Sequence, residues 1–178
     1  LRHRECSIIN AMESLEKQAG DLLRRYGLRL AVAESCTGGL ISDRLTDIPG
    51  SSTYFMGSFV VYAYEAKVRL LGVSWKTLEA HGAVSRETVL EMARGVRRAL
   101  ATDIGLAVSG VAGPGGGTPE KPVGTVWVGI STPDWDTARR YDLDTGERLK
   151  NKSAFADQAL SLLVERLTDQ PIQPIPSN

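Results

Sequence analysis

The chain is poor in the residues that most often carry metal and nucleophilic chemistry. Its 178 residues include two histidines, His3 and His81, and two cysteines, Cys6 and Cys36. That is almost no material for a zinc site, and no metal or other cofactor is expected. Two cysteines make no disulfide framework and fit a reducing, cytoplasmic setting. A Ser-His-Asp triad would have to rest on His81, because His3 lies in a terminus prone to fraying. A charge excess is missing as well. Lysine plus arginine equal aspartate plus glutamate at 21 each, which argues against a general nucleic-acid surface. No apolar run approaches the ~20 residues of a membrane span, and Leu1 to Glu5 lacks the apolar stretch of a signal peptide. Neither nucleic acid nor membrane is expected as a partner.

The length suits one domain with its own core. The expected boundaries are residues 1–169 for the domain and 170–178 for a flexible tail, which holds three prolines and no core pattern. Apolar residues recur at helical spacing over 8–26, with Gly27 as the stop. Residues 28–33 read as a buried strand, 37–46 as a helix, 54–62 as a strand, and 64–71 as a helix ended by Gly72. A short helix is expected over 74–80. Ser85 is a good N-cap for a helix running to about Leu100. Strands are expected over 104–108, 123–132 and 137–143, the last two joined at Pro133-Asp134. Residues 150–167 read as the final helix. Interleaved helices and strands predict an α/β chain, a three-layer α/β/α sandwich. The close spacing of the last two strands predicts a mixed sheet.

What is abundant is glycine and hydroxyl in three short stretches. Ser35 follows a buried strand and precedes a helix, which places it at the carboxyl edge of the sheet, where α/β ligands bind. Thr37, Gly38 and Gly39 offer backbone N–H groups and close approach there. The same residues also suit plain helix capping. Lys67, early in the helix after Tyr62, is a general base only if burial or a nearby cation lowers its pKa toward 7–8. Otherwise it is a solvated residue paired with Glu65 or Asp43. Ser51 and Ser52 suit a turn, and Ser52 would also complete a Ser-Ser-Lys relay. Cys36 with Glu34 and Lys67 supplies the types of a Cys-Glu-Lys amidase, but strand parity turns Ser35 away from Glu34 and Cys36. Residues 109–117 hold five glycines in nine residues; Ser109, Gly110, Gly113 and Pro114 belong to this candidate anion loop. Arg148, Lys150 and Lys152 form a basic cluster suited to a phosphate.

Taken together, these stretches resemble the CinA C-terminal domain family, equivalent to the stand-alone PncC nicotinamide-nucleotide amidases. The resemblance rests on Ala33 to Gly39, Pro49 to Ser52, Gly57 to Tyr62, Glu65-Ala66-Lys67, Leu71 to Val73, His81 to Ser85, Ser109 to Pro114 and Lys121 to Val126, in one order. It implies an α/β/α fold, a homo-oligomer, no metal, and hydrolysis of nicotinamide mononucleotide (NMN) to nicotinic acid mononucleotide and ammonia. The family's functional positions fall on Ser35, Ser52, Tyr62, Lys67 and Ser109. Ser109 stands where threonine is usual and keeps the hydroxyl. Lys152 stands where arginine is usual, turning a bidentate phosphate contact into a monodentate one. Full-length members also carry an N-terminal domain, which these 178 residues do not include. A nucleotide-binding module without catalysis is the other reading open at this point.

Overall fold

The computed structural model describes residues 13–169 together with Ile172 and Pro174. One five-stranded sheet, in the order β2-β1-β3-β4-β5, forms the middle layer. Its strands are β1 (Leu30–Glu34), β2 (Phe55–Val60), β3 (Ile104–Gly110), β4 (Thr125–Ser131) and β5 (Asp136–Asp142). β1 is parallel to both β2 and β3, while β4 and β5 run antiparallel. The sheet is therefore mixed, and the α/β/α class stands.

Side-chain parity along β1 divides the two cores. Leu30 and Val32 face the layer of α1 (Leu15–Tyr26), α2 (Leu40–Thr46) and α6 (Arg148–Asp169). Ala31 and Ala33 face the layer of α3 (Tyr64–Leu71), α4 (Trp75–His81) and α5 (Arg86–Ala99). β1 is buried at all five positions, as a strand covered on both faces must be. α5 starts where Ser85 accepts a hydrogen bond from the Thr88 N–H and buries Val89, Met92, Ala93 and Val96. It packs backbone to backbone on its neighbours. A Cβ on Gly105 would stand 2.0 Å from the Ala93 carbonyl oxygen, and one on Gly95 would stand 2.1 Å from that of Leu71.

Several boundaries differ from expectation. α1 begins at Leu15, and residues 8–12 of the predicted helix lie outside the described residues. α2 begins at Leu40 rather than Thr37, because residues 35–39 form a turn with Gly38 and Gly39 at positive φ. α6 runs two residues further at each end than predicted. In the predicted tail, Ile172 packs into the core beside α6.

The connection from β1 to β2 passes through α2 on one face. The connection from β2 to β3 passes through α3, α4 and α5 on the other. The two crossovers leave the carboxyl ends of β1 and β2 toward opposite faces, and that edge of the sheet, which the end of β3 shares, is where open α/β sheets bind ligands.

Candidate active site

Ser35 is the first residue after β1, and parity turns its side chain toward the α3 layer. Its backbone N–H donates to the Val108 carbonyl at 3.1 Å, which ties it to the end of β3. Lys67, in the first turn of α3, reaches the same point from across the layer. The Lys67 side chain is fully buried. Its Nζ lies 3.0 Å from Ser35 Oγ, 2.7 Å from the Val61 carbonyl oxygen and 3.1 Å from that of Tyr62. The surface role with Glu65 or Asp43 is thus ruled out by position. No carboxylate bonds to Lys67 among the described residues. Burial pushes its ammonium down to about 8, against a small opposing effect of nearby Cys36.

The arrangement assigns hydrogens. Two carbonyl oxygens can only accept, so two N–H bonds of the amine point at them. In the neutral amine the one remaining direction is the lone pair, and it faces the Ser35 hydroxyl. That is the geometry of a base hydrogen-bonded to a nucleophile.

These groups line a cavity of about 180 Å³ with Ser109, Gly110, Ala83, Val84 and Arg148. Ser109 is buried beside Ser35, one residue beyond the Glu34–Val108 pair of the parallel register. Arg148, at the start of α6, reaches over the mouth. It donates to the Gly113 carbonyl at 2.5 Å and to the Tyr62 phenol oxygen at 3.1 Å. No carboxylate neutralises Arg148 among the described residues.

Other expected residues go elsewhere. Ser52 is exposed in a single turn of 3₁₀-helix, Ser51–Thr53, ahead of β2. Because Phe55 pairs with Leu30, Ser52 lies at the amino edge of the sheet. Ser35 lies at the carboxyl edge, ~17 Å away at about 3.3 Å per strand residue. One chain therefore forms no Ser-Ser-Lys relay. The Tyr62 phenol is 64% exposed and turned to Arg148; only its backbone carbonyl touches Lys67, so it relays no proton to the amine. The Thr37 hydroxyl and the Gly39 N–H both bond to Glu34, and the Gly38 N–H bonds to the Ser35 carbonyl. These donors are occupied within the turn. Gly113 contributes a carbonyl rather than an N–H, and Pro114 to Gly117 are exposed outside the cavity. Lys152 lies beside Gly38 in a separate groove with Thr37 and Gly39, and Lys150 pairs with Glu147. The basic cluster does not converge. Cys36 is a buried thiol pushed up to about 12 by desolvation, which removes it as a nucleophile.

Sequence reasoning missed Val61 and the Tyr62 backbone, whose carbonyls hold the amine. Their role depends on strand register, which residue type does not signal.

Comparison with known proteins places this geometry. The family model for the CinA C-terminal domain matches residues 12–167. A "CinA-like protein" of Desulforapulum autotrophicum is 52% identical over 157 residues, covering 88% of this chain and 37% of the relative. One of Chlorobaculum tepidum is 51% identical over 160 residues, covering 88% and 38%. The chain thus spans well under half the length of these relatives. Among solved structures, the competence damage-inducible protein A from Klebsiella pneumoniae superposes with a TM-score of 0.84 at 33% identity, covering 88% of this chain and 96% of that one. The competence/damage inducible protein from Agrobacterium tumefaciens gives 0.81 at 38% identity, covering 87% and 96%.

Proposed function

The chain belongs to the CinA C-terminal domain family, and from that membership we propose that it is an amide hydrolase that converts NMN to nicotinic acid mononucleotide and ammonia. The reading is carried by one observation: a fully buried lysine amine, pinned by two carbonyls, with its third direction on a serine hydroxyl. Among the described residues no histidine lines that cavity, so the amine is the group placed to accept the serine proton.

In this reading Ser35 Oγ attacks the carboxamide carbon while its proton passes to Lys67 Nζ. The carbonyl oxygen becomes an oxyanion. β3 supplies a donor for it. The Val111 N–H bonds across to Thr125 on β4, so the Gly110 N–H, one pleat earlier, points the other way, toward Ser35. One such donor typically contributes about 10²–10³ in rate. Lys67 returns the proton to the leaving nitrogen, and ammonia departs from the acyl-serine. Water then attacks the ester, giving a proton to Lys67, and the carboxylate leaves with Ser35 restored. The cavity takes the pyridine ring and its amide. The ribose phosphate stays at the mouth, where the unneutralised Arg148 meets it, aided by the hydroxyl of Tyr62.

The test is direct. With NMN the protein is to release ammonia in proportion to enzyme, and quenching during turnover is to trap an acyl adduct whose mass maps to the peptide holding Ser35. Binding of NMN without ammonia release would overturn the hydrolase reading. An adduct on another residue would overturn the assignment of the nucleophile.

A further inference from the structure

We propose that Glu34 is a positioning residue, whose carboxylate gathers the turn after β1 and so fixes the direction in which Ser35 presents its hydroxyl to Lys67. The proposal rests on the reading of Ser35 as nucleophile. Glu34 is fully buried and points into the α2 layer, opposite to Ser35. Its Oε2 accepts from Thr37 Oγ1 at 2.6 Å, the Gly39 N–H at 3.0 Å and the Ile41 N–H at 3.1 Å. Its Oε1 accepts from the Ser42 N–H at 2.9 Å and Ser42 Oγ at 2.5 Å. These five donors lie on residues 37 to 42, so the carboxylate closes a ring around the turn that begins with Ser35. The ring is cross-braced by the Gly38 N–H on the Ser35 carbonyl and by the Ser35 N–H on Val108.

Five donors need an acceptor-only group, and only a carboxylate offers two oxygens with about four lone-pair sites in that reach. No lysine or arginine bonds to Glu34 among the described residues; the N–H groups that open α2 compensate its charge instead. A side-chain cap at Gly39, the residue ahead of α2, would serve the helix alone, but none is present. The cap comes from the strand, and it pulls the segment bearing the hydroxyl onto the helix start. A glutamine here puts an NH₂ against backbone N–H donors and opens the ring on one side.

The experiment uses the whole chain and a serine-directed fluorophosphonate, read by intact mass, so that it does not depend on the natural substrate. Wild type, Glu34→Gln, Glu34→Asp and Lys67→Ala are compared well below their melting temperatures. Expected for Glu34→Gln is a labelling rate down by about 10²-fold, with the pH of half-maximal labelling unchanged because Lys67 keeps its surroundings. With NMN, kcat is to fall while KM holds, and Glu34→Asp is to recover part of both rates. Labelling of folded Glu34→Gln at the wild-type rate, with only a lower melting temperature, would overturn the proposal and leave a helix cap. If Glu34→Gln does not fold, Ser42→Ala carries the test. Loss of one donor is to slow labelling about threefold, and an unchanged rate overturns the proposal. A wild type that labels but releases no ammonia refutes the substrate and leaves the role of Glu34 standing. A wild type inert to the probe overturns nucleophile and positioning residue together.

Discussion

The two ends of the sheet hold similar side chains and behave differently. At the amino edge, a cavity of about 360 Å³ is lined by Arg24, Arg29, Thr53, Tyr54 and Asp103. At the carboxyl edge, the cavity around Ser35 and Lys67 is half that size. The larger one has its cations neutralised: Arg24 bonds Asp21 and the Pro49 carbonyl, and Arg29 meets Asp103. The smaller one buries an amine that meets no counter-ion among the described residues. Lys17, on the surface between Glu13 and Asp21, shows the opposite case: those carboxylates hold its pKa above the ordinary lysine value. Reactive potential follows desolvation and the lack of a counter-charge, not volume.

The comparison breaks most sharply on hydroxyls. Ser35→Ala and Lys67→Ala are expected to lower ammonia release from NMN by about 10³-fold or more, while Ser52→Ala, at the other edge, stays within about twofold. Steady-state kinetics on variants with native circular dichroism checks this. A large loss in Ser52→Ala would mean that the amino edge takes part after all.

Next in size is the pH profile. The base works only as the neutral amine, so kcat/KM is expected to rise about tenfold per unit below the inflection and to level off above about 8. A flat profile from pH 6 to 9 would remove Lys67 as the base. The same shift has a stability consequence. The folded amine releases its proton near 8, while the unfolded chain keeps it to 10.5. Between those values unfolding takes up a proton, so stability rises with pH across that window, by up to about 3 kcal/mol. Urea titrations at pH 8 and 10 are expected to show the rise in wild type and not in Lys67→Met.

The smallest effect sharpens the contrast from the other side. Asp103 accepts the Arg29 N–H at 2.7 Å and is buried. Asp103→Ala is expected to lower stability by about 1–3 kcal/mol and to leave the Ser35 labelling rate and its pH dependence unchanged. A shifted labelling midpoint would show the two ends to be coupled.

Much of this was legible in the chain itself. Periodicity and the stops at Gly27 and Gly72 located α1 and α3, and Ser85 marked the start of α5. Parity along β1 separates Ser35 from Glu34, as the structure does, but β1 ends at Glu34 and Cys36, in the turn beyond it, lines the same cavity as Ser35. What stayed hidden depends on register and on turns. Ser52 suits a relay with Ser35 by residue type, but parallel pairing sends a residue ahead of β2 to the opposite edge. The glycines of 113–117 suggested an anion cradle, yet which way their N–H groups point is set by dihedral angles that composition does not encode. The fully buried state of Lys67 is a tertiary fact, set by Val61, Tyr62 and Ser35 converging from two segments.

The backbone seating of α5 has a mechanical corollary. At glycines 95, 105 and 129 no side chain stands between that helix and its supports, so there is nothing to repack and no room to slip. The wall that carries the amine, braced by Leu71 against Gly95, is stiff. Whatever yields when a guest molecule arrives must be the opposite rim: the first turn of α6, where Arg148 is exposed and tethered by two hydrogen bonds that solvent can replace.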